Sequence, residues 1–145
     1  MANQRDILLS VFYLRDKIWG RTYLQKFIYL LNREVFENKL FEYTHYRFGP
    51  FCEEINEELA ELEEEGAIEE KAELTQGLNT AYTYSITVYG KKVAADAFNK
   101  RLSLDLRNKL VDYTNQFRSF TPTELLKYVY EKYPEVTENS EFGHE

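Results

Sequence analysis

From Phe51 to Glu65 the chain sets eight glutamates, with no lysine or arginine, among apolar residues at helical spacing. Phe51, Ile55, Leu59 and Leu62 recur at intervals of 4, 4 and 3, so one face is apolar and the glutamates occupy the rest. Gly66 stands at the C-cap position, and two β-type runs follow, Ala67–Leu74 and Ala81–Thr87, split by the turn-rich Gln76-Gly77-Leu78-Asn79. A helix that hides only one stripe and leads straight into a hairpin must dock that stripe on the rest of the chain, which restricts the fold to layered α+β arrangements.

Ahead of that helix, Ile7, Leu8, Val11, Phe12, Leu14 and Ile18 keep helical spacing until Trp19-Gly20. A second helix opens at Arg21 or Thr22 with the stripe Leu24, Phe27, Ile28, Leu31 and Val35, closing near Asn38. Dense aromatics between Leu40 and Phe48 read as an extended segment, and Gly49-Pro50 reads as a turn that ends it, with Pro50 near a helix start. Beyond the hairpin, Val88 to Phe117 is a long helical region, either two helices or one long packing arm, with Ser103 the candidate cap of a second helix. Thr121-Pro122-Thr123-Glu124 is a helix start with a capping box, and that last helix runs to about Lys132.

With 145 residues, 43% of them hydrophobic, the chain suits one packed domain over residues 1–134 followed by a polar tail, 135–145. The lone cysteine, Cys52, forms no intrachain bridge and fits a reducing cytoplasm. The start MANQRD lacks an apolar signal core, and no stretch approaches the roughly 20 apolar residues of a membrane span, so a cytoplasmic protein without a membrane partner is expected.

The net charge of −7 is divided into blocks. Residues 1–50 hold eight bases and five acids, 51–75 one base and eleven acids, 76–127 eight bases and four acids, and 128–145 one base and five acids. Blocks of this kind steer partners of opposite sign.

The order helix, helix, short strand, acidic helix, hairpin, helices predicts a mostly α, α+β winged helix-turn-helix-like domain with a β-hairpin wing and a C-terminal helical extension. Arg21-Thr-Tyr-Leu-Gln-Lys-Phe-Ile-Tyr-Leu-Leu31, then Tyr46-Arg-Phe-Gly-Pro-Phe-Cys52 and the helix ending Glu65-Gly-Ala-Ile68, resembles the YwgA-like and Panacea (SocA-type antitoxin, phage-associated) proteins. Thr121 to Glu135 looks like the Ser/Thr-Pro-x-Glu-Leu helix near the C-terminus of those proteins. The resemblance covers Arg21 to Pro134 and implies a shared fold and a tendency to bind other proteins, as antitoxins or adaptors.

The acidic helix occupies the position at which a winged helix reads DNA, and its charge is wrong for that task. Affinity for a duplex comes from Lys and Arg on phosphates, and base readout from Arg, Lys, Asn or Gln; this helix offers Asn56 alone, and the wing tip, Thr75–Thr80, holds no base. The glutamates sit in like-charge i,i+4 pairs (Glu53/Glu57, Glu54/Glu58, Glu57/Glu61), each unfavourable by about 0.2–0.5 kcal/mol, so they do not serve the helix itself. A basic protein partner contacting Glu53, Glu54, Glu57, Glu58 and Glu61 is the expected reading, with a solvated helix face as the plainer one. The alternative is a DNA-binding regulator working through Arg21, Lys26, Lys91, Lys92 and Arg101, bases that also suit pairing with the glutamates inside the molecule or across a homodimer.

Catalysis finds little support: His45 and His144 lie far apart, no glycine-rich phosphate loop is present, and no cofactor or metal is expected. Cys52 near a helix start is read as a half-buried core thiol, although a helix N-terminus lowers thiol pKa values. Tyr128, Tyr130 and Tyr133 suit either intrachain packing or docking of the last helix on a partner.

Overall fold

The computed structural model describes residues 2–18, 20–46, 49–74, 77 and 80–137, with side chains at all of these except 44–50, 80, 81, 136 and 137. In chain order the elements are α1 (Gln4–Leu14), β1 (Lys17–Ile18), α2 (Arg21–Glu34), β2 (Thr44–Tyr46), β3 (Gly49–Phe51), α3 (Glu53–Glu64), β4 (Ile68–Leu74) and β5 (Thr80–Ile86). Then come α4 (Val88–Asp96), which runs on as a π-turn over Ala97–Arg101, α5 (Leu104–Gln116), α6 (Pro122–Lys132) and a 3-10 turn, Pro134–Thr137. The fold is α+β and mostly α.

Helix starts follow their capping residues. Asn3 and Asp6 form a capping box on α1, Thr121 and Glu124 form the predicted one on α6, and Thr87 and Ser103 cap α4 and α5 through their hydroxyls. Each such cap contributes about 1 kcal/mol. Gly66 leaves α3 at φ +82°, a left-handed exit that suits a residue without a Cβ.

Two boundaries differ from the sequence reading. Ile18 does not continue α1: Arg15 is already extended, and Ile18 pairs with Tyr84 in β1, fully buried, while the Asp16 carbonyl accepts from the Ile86 amide at 3.0 Å. Pairing with β5 outweighs the helical period of the run. Gly49-Pro50 does not end a strand either; both lie in β3, where His45 faces Pro50 across a two-stranded ribbon. A short two-stranded ribbon leaves one side of each strand unpaired, so a residue without an N–H is tolerated there.

β4 and β5 pair antiparallel over their full length, and β1 joins β5, so the three-stranded sheet runs β1-β5-β4. At the centre of the molecule, residues 23 to 32 of α2 are all buried, not one stripe of them. The extra cover comes from the C-terminal helices. The Tyr23 hydroxyl donates to the Phe117 carbonyl at 2.5 Å and accepts from Arg15 at 2.6 Å, and Phe117 stacks edge-on against Phe120 and Tyr128. At the other end of α2, the Glu34 carboxylate accepts from the hydroxyls of Tyr113 and Tyr133, the latter at 2.6 Å, and from Lys132 at 3.0 Å. Tyr128 and Tyr133 are thus spent on packing within the chain. The first residues of the tail also engage α2, because Glu135 pairs with Arg33 at 2.6 Å; residues 138–145, His144 among them, lie outside the described residues.

Candidate interaction surface

α3 is held by its start and its inner face. The Gln25 side chain, buried on α2, donates to the Cys52 carbonyl at 2.8 Å and accepts from the Cys52 amide at 2.8 Å, which fixes the residue that precedes the helix. Ile55, Leu59 and Leu62 then bury the inner face, and Phe51 lies in β3 rather than on that stripe. Cys52 is fully buried; burial pushes its thiol up and outweighs the amides of Ile55 and Glu54 that act in the opposite sense.

The five glutamates of the expected contact surface separate into two groups. Glu54 accepts from the Gln4 amide at 2.7 Å and from the Glu42 backbone at 3.2 Å, tying α1, the segment before β2 and α3 together. Glu58 is half-buried, its carboxyl pushed up by burial and by Glu61, and its Oε2 is a buried atom with no hydrogen-bond partner among the described residues. Glu53, Glu57 and Glu61 are exposed and four apart, and among the described residues none of them has an ion-pair partner. With a rise of 1.5 Å per residue they form an acidic line about 12 Å long. Glu61, Glu64 and Glu65 edge a surface depression of 330 Å³ at its end, where Glu65 also forms a two-pronged pair with Arg5. The end of α3 is pinned by Thr87, whose hydroxyl donates to the Gly66 carbonyl at 2.6 Å; Val88 and Tyr89, both exposed, follow it.

The five bases of the alternative reading do not share a surface. Arg21 donates to the Tyr84 hydroxyl at 2.7 Å and lies 3.4 Å from Glu70 on β4. Lys26 departs furthest from expectation: it is 4% exposed within α2, out of reach of a phosphate backbone, and burial lowers its pKa to about 8. Lys91 is on the exposed side of α4. Lys92 and Arg101 do meet, around a cavity of 420 Å³ to which Arg5 contributes a third cation and Asp6 and Asp96 two carboxylates. Of the other bases near the start of the chain, Lys17, which lies in β1 and not on a helix, pairs with Glu73, as Arg21 pairs with Glu70. Of the wing tip, Gly77 and the backbone of Thr80 are described, and the rest of the tip and the His45 ring lie outside the described positions.

Sequence reasoning passed over the polar residues buried in α2. Gln25 clamps Cys52, and Asn32 repeats the arrangement on Phe41, accepting from its amide at 3.0 Å and donating to its carbonyl at 3.0 Å. The available signal was two carboxamides seven residues apart, two helical turns on the same side of an otherwise apolar helix. No group of three or more His, Cys, Asp or Glu placed to hold a metal occurs among the described residues, and no helix among them is long and apolar enough to cross a membrane. A scan against protein-family models returns no match for this chain, and a search of the curated proteins returns none either.

Proposed function

We propose that this protein is a non-enzymatic interaction module, antitoxin- or adaptor-like, on a winged-helix scaffold, and that α3 meets a basic protein partner in the cytoplasm. The winged-helix reading is supported by the order α1-β1-α2-β2-β3-α3-β4-β5 and the sheet order β1-β5-β4, in which α3 directly precedes the hairpin, as a recognition helix precedes a wing. The resemblance of Arg21–Pro134 to YwgA-like and Panacea proteins points the same way. The observation that carries the partner assignment is the exposed line Glu53, Glu57 and Glu61, which has no ion-pair partner among the described residues, while Lys17 and Arg21 are paired with Glu73 and Glu70. Such a line repels a duplex and attracts a basic surface. Glu54 is tied to Gln4 and to the Glu42 amide behind the line, and Glu58 lies half-buried beside it.

The test uses protamine as a basic probe, titrated calorimetrically across roughly 50 to 200 mM salt, with random duplex DNA followed by anisotropy over the same range. Salt-sensitive binding of protamine that Glu57→Lys weakens is the expected result, and DNA is not bound. The same variant removes two like-charge i,i+4 contacts, with Glu53 and Glu61, and replaces them with attractive ones, so it is more stable than wild type by about 1–2 kcal/mol at low salt. Loss of binding with gain of stability marks a functional residue. Micromolar DNA binding that Lys91→Glu and Lys92→Glu abolish would replace this reading with that of a DNA-binding regulator.

A further inference from the structure

A cavity of 580 Å³ lies between the connection from α2 to β2 and the start of α5, with no residue of the acidic line in its lining. Its walls are apolar: Phe36 and Leu40 from the connection, Leu106 from α5, and Ala2. Each is half-buried, packed on the core on one side and open to the cavity on the other. The volume is that of a small-molecule site, and the lining has the usual makeup of one, mostly apolar with a few placed polar groups.

Those polar groups are Lys39, Arg101 and the Ser103 hydroxyl, with no carboxylate among the lining residues. Both cations stand beside backbone irregularities. Lys39 directly follows Glu37 and Asn38, two successive non-glycine residues in the left-handed region at φ 54° and 64°. Arg101 ends the π-turn that breaks the α4 ladder. Left-handed glutamate and π-turns are disfavoured, and both kinds of irregularity collect at functional sites. Arg101 holds Asp6 through Nε at 3.1 Å, and among the described residues its two Nη groups make no other hydrogen bond, so one edge of the guanidinium is fixed and the other is free to receive a carboxylate. Among the described residues Lys39 is paired with Glu37 alone, at 3.3 Å, where both side chains are more than three-quarters exposed and the pair is readily exchanged.

We infer that this cavity binds a medium-chain alkyl carboxylate, its tail against Phe36, Leu40 and Leu106 and its head between Arg101 and Lys39. The apolar walls provide a tail site that water fills poorly, and the open edge of Arg101, with Lys39 released from its exposed pair with Glu37, matches a single anionic head. The inference is independent of the partner assigned to α3, since no residue of α3 contributes to the cavity.

Titrating the full chain with dodecanoate, dodecanol and acetate in a calorimeter separates the contributions of head and tail. Dodecanoate binds, dodecanol binds about tenfold more weakly or worse, and acetate gives no heat. Leu106→Trp fills the cavity and removes dodecanoate binding; Lys39→Glu, a change at an exposed side chain that leaves the fold intact, weakens it about tenfold. The inference fails if wild type gives no heat with dodecanoate, if dodecanol binds equally well, or if Lys39→Glu leaves the affinity unchanged. It fails too if light scattering shows a dimer that Leu106→Trp dissociates, because the cavity is then a contact between two copies.

Discussion

Gln25 and Cys52 are joined by a two-bond ring in which one side-chain amide satisfies both the N–H and the C=O of a buried backbone, each at 2.8 Å. That ring places the start of α3, and with it the acidic line. Replacing Gln25 with leucine keeps the bulk and leaves the Cys52 amide without its acceptor in the core, at a cost of about 2–3 kcal/mol. Urea denaturation measures it; a loss below about 1 kcal/mol would show that water reaches Cys52 and that the ring matters little.

Gly90 is required by contact. A Cβ on Gly90 would lie 1.9 Å from the Ala67 carbonyl oxygen and 2.9 Å from a carbon of Ile86, so the first turn of α4 sits directly on the end of the α3–β4 connection. Gly90→Ala forces that turn away and lowers stability by about 3 kcal/mol or more. Thermal unfolding checks this, and a variant as stable as wild type would mean that α4 slides without loss.

The Glu34 latch gives the molecule a defined pH response. Burial pushes this carboxyl up, but Tyr113, Tyr133 and Lys132 together hold it below its ordinary value of 4.5. A carboxyl depressed in the folded state contributes stability that is present above its unfolded value and lost as pH falls through the folded one. The Tyr133 and Tyr113 hydroxyls are raised, by burial and then by the same carboxylate, so their share is present below the ordinary tyrosine value of 10.0 and lost as pH rises through the folded values. Glu34→Gln is therefore less stable than wild type at neutral pH, and the gap closes under acid. A gap of constant size from pH 7 to about 3 would remove the titration from the latch.

Lys26 has the opposite sign to an ordinary ion-paired lysine. Its folded-state pKa is lowered to about 8 by burial, against 10.5 when exposed, so between those values the unfolded chain holds the proton that the native one has released. Stability contributed at this position rises with pH across that window. Urea midpoints of wild type and Lys26→Met measured from pH 7 to 10 should show the wild type gaining on the variant. Parallel curves would place the ammonium in contact with solvent.

Much of this architecture was legible because its signals are local. Thr121 to Glu124, Gly66, the interruption at Ser103 and the two runs of the hairpin each specify their own backbone, and each appears where the sequence puts it. What escaped depends on partners distant in the chain. Ile18 belongs to a helical stripe until Tyr84, 66 positions on, draws it into a strand. The burial of residues 23 to 32 of α2 on every side is invisible without the chain packed around the helix, Phe117, Tyr128 and Tyr133 included, and Lys26, a surface base in the sequence, lies in the interior of the molecule. For the acidic surface, composition identified the helix, but only the three-dimensional arrangement separates the exposed Glu53, Glu57 and Glu61 from Glu54, which is bound to Gln4 and the Glu42 amide, and from Glu58, which is half-buried.

The embrace of α2 by the last helices also bears on how the chain is made. During synthesis α2 leaves the ribosome about a hundred residues before Tyr133 does, at roughly 5–20 residues per second, with apolar residues that only the C-terminal third can cover. For that interval of several seconds the half-made protein exposes the sticky surface of its own centre, and the closing of Tyr113, Lys132 and Tyr133 on Glu34 is the event that ends its exposure.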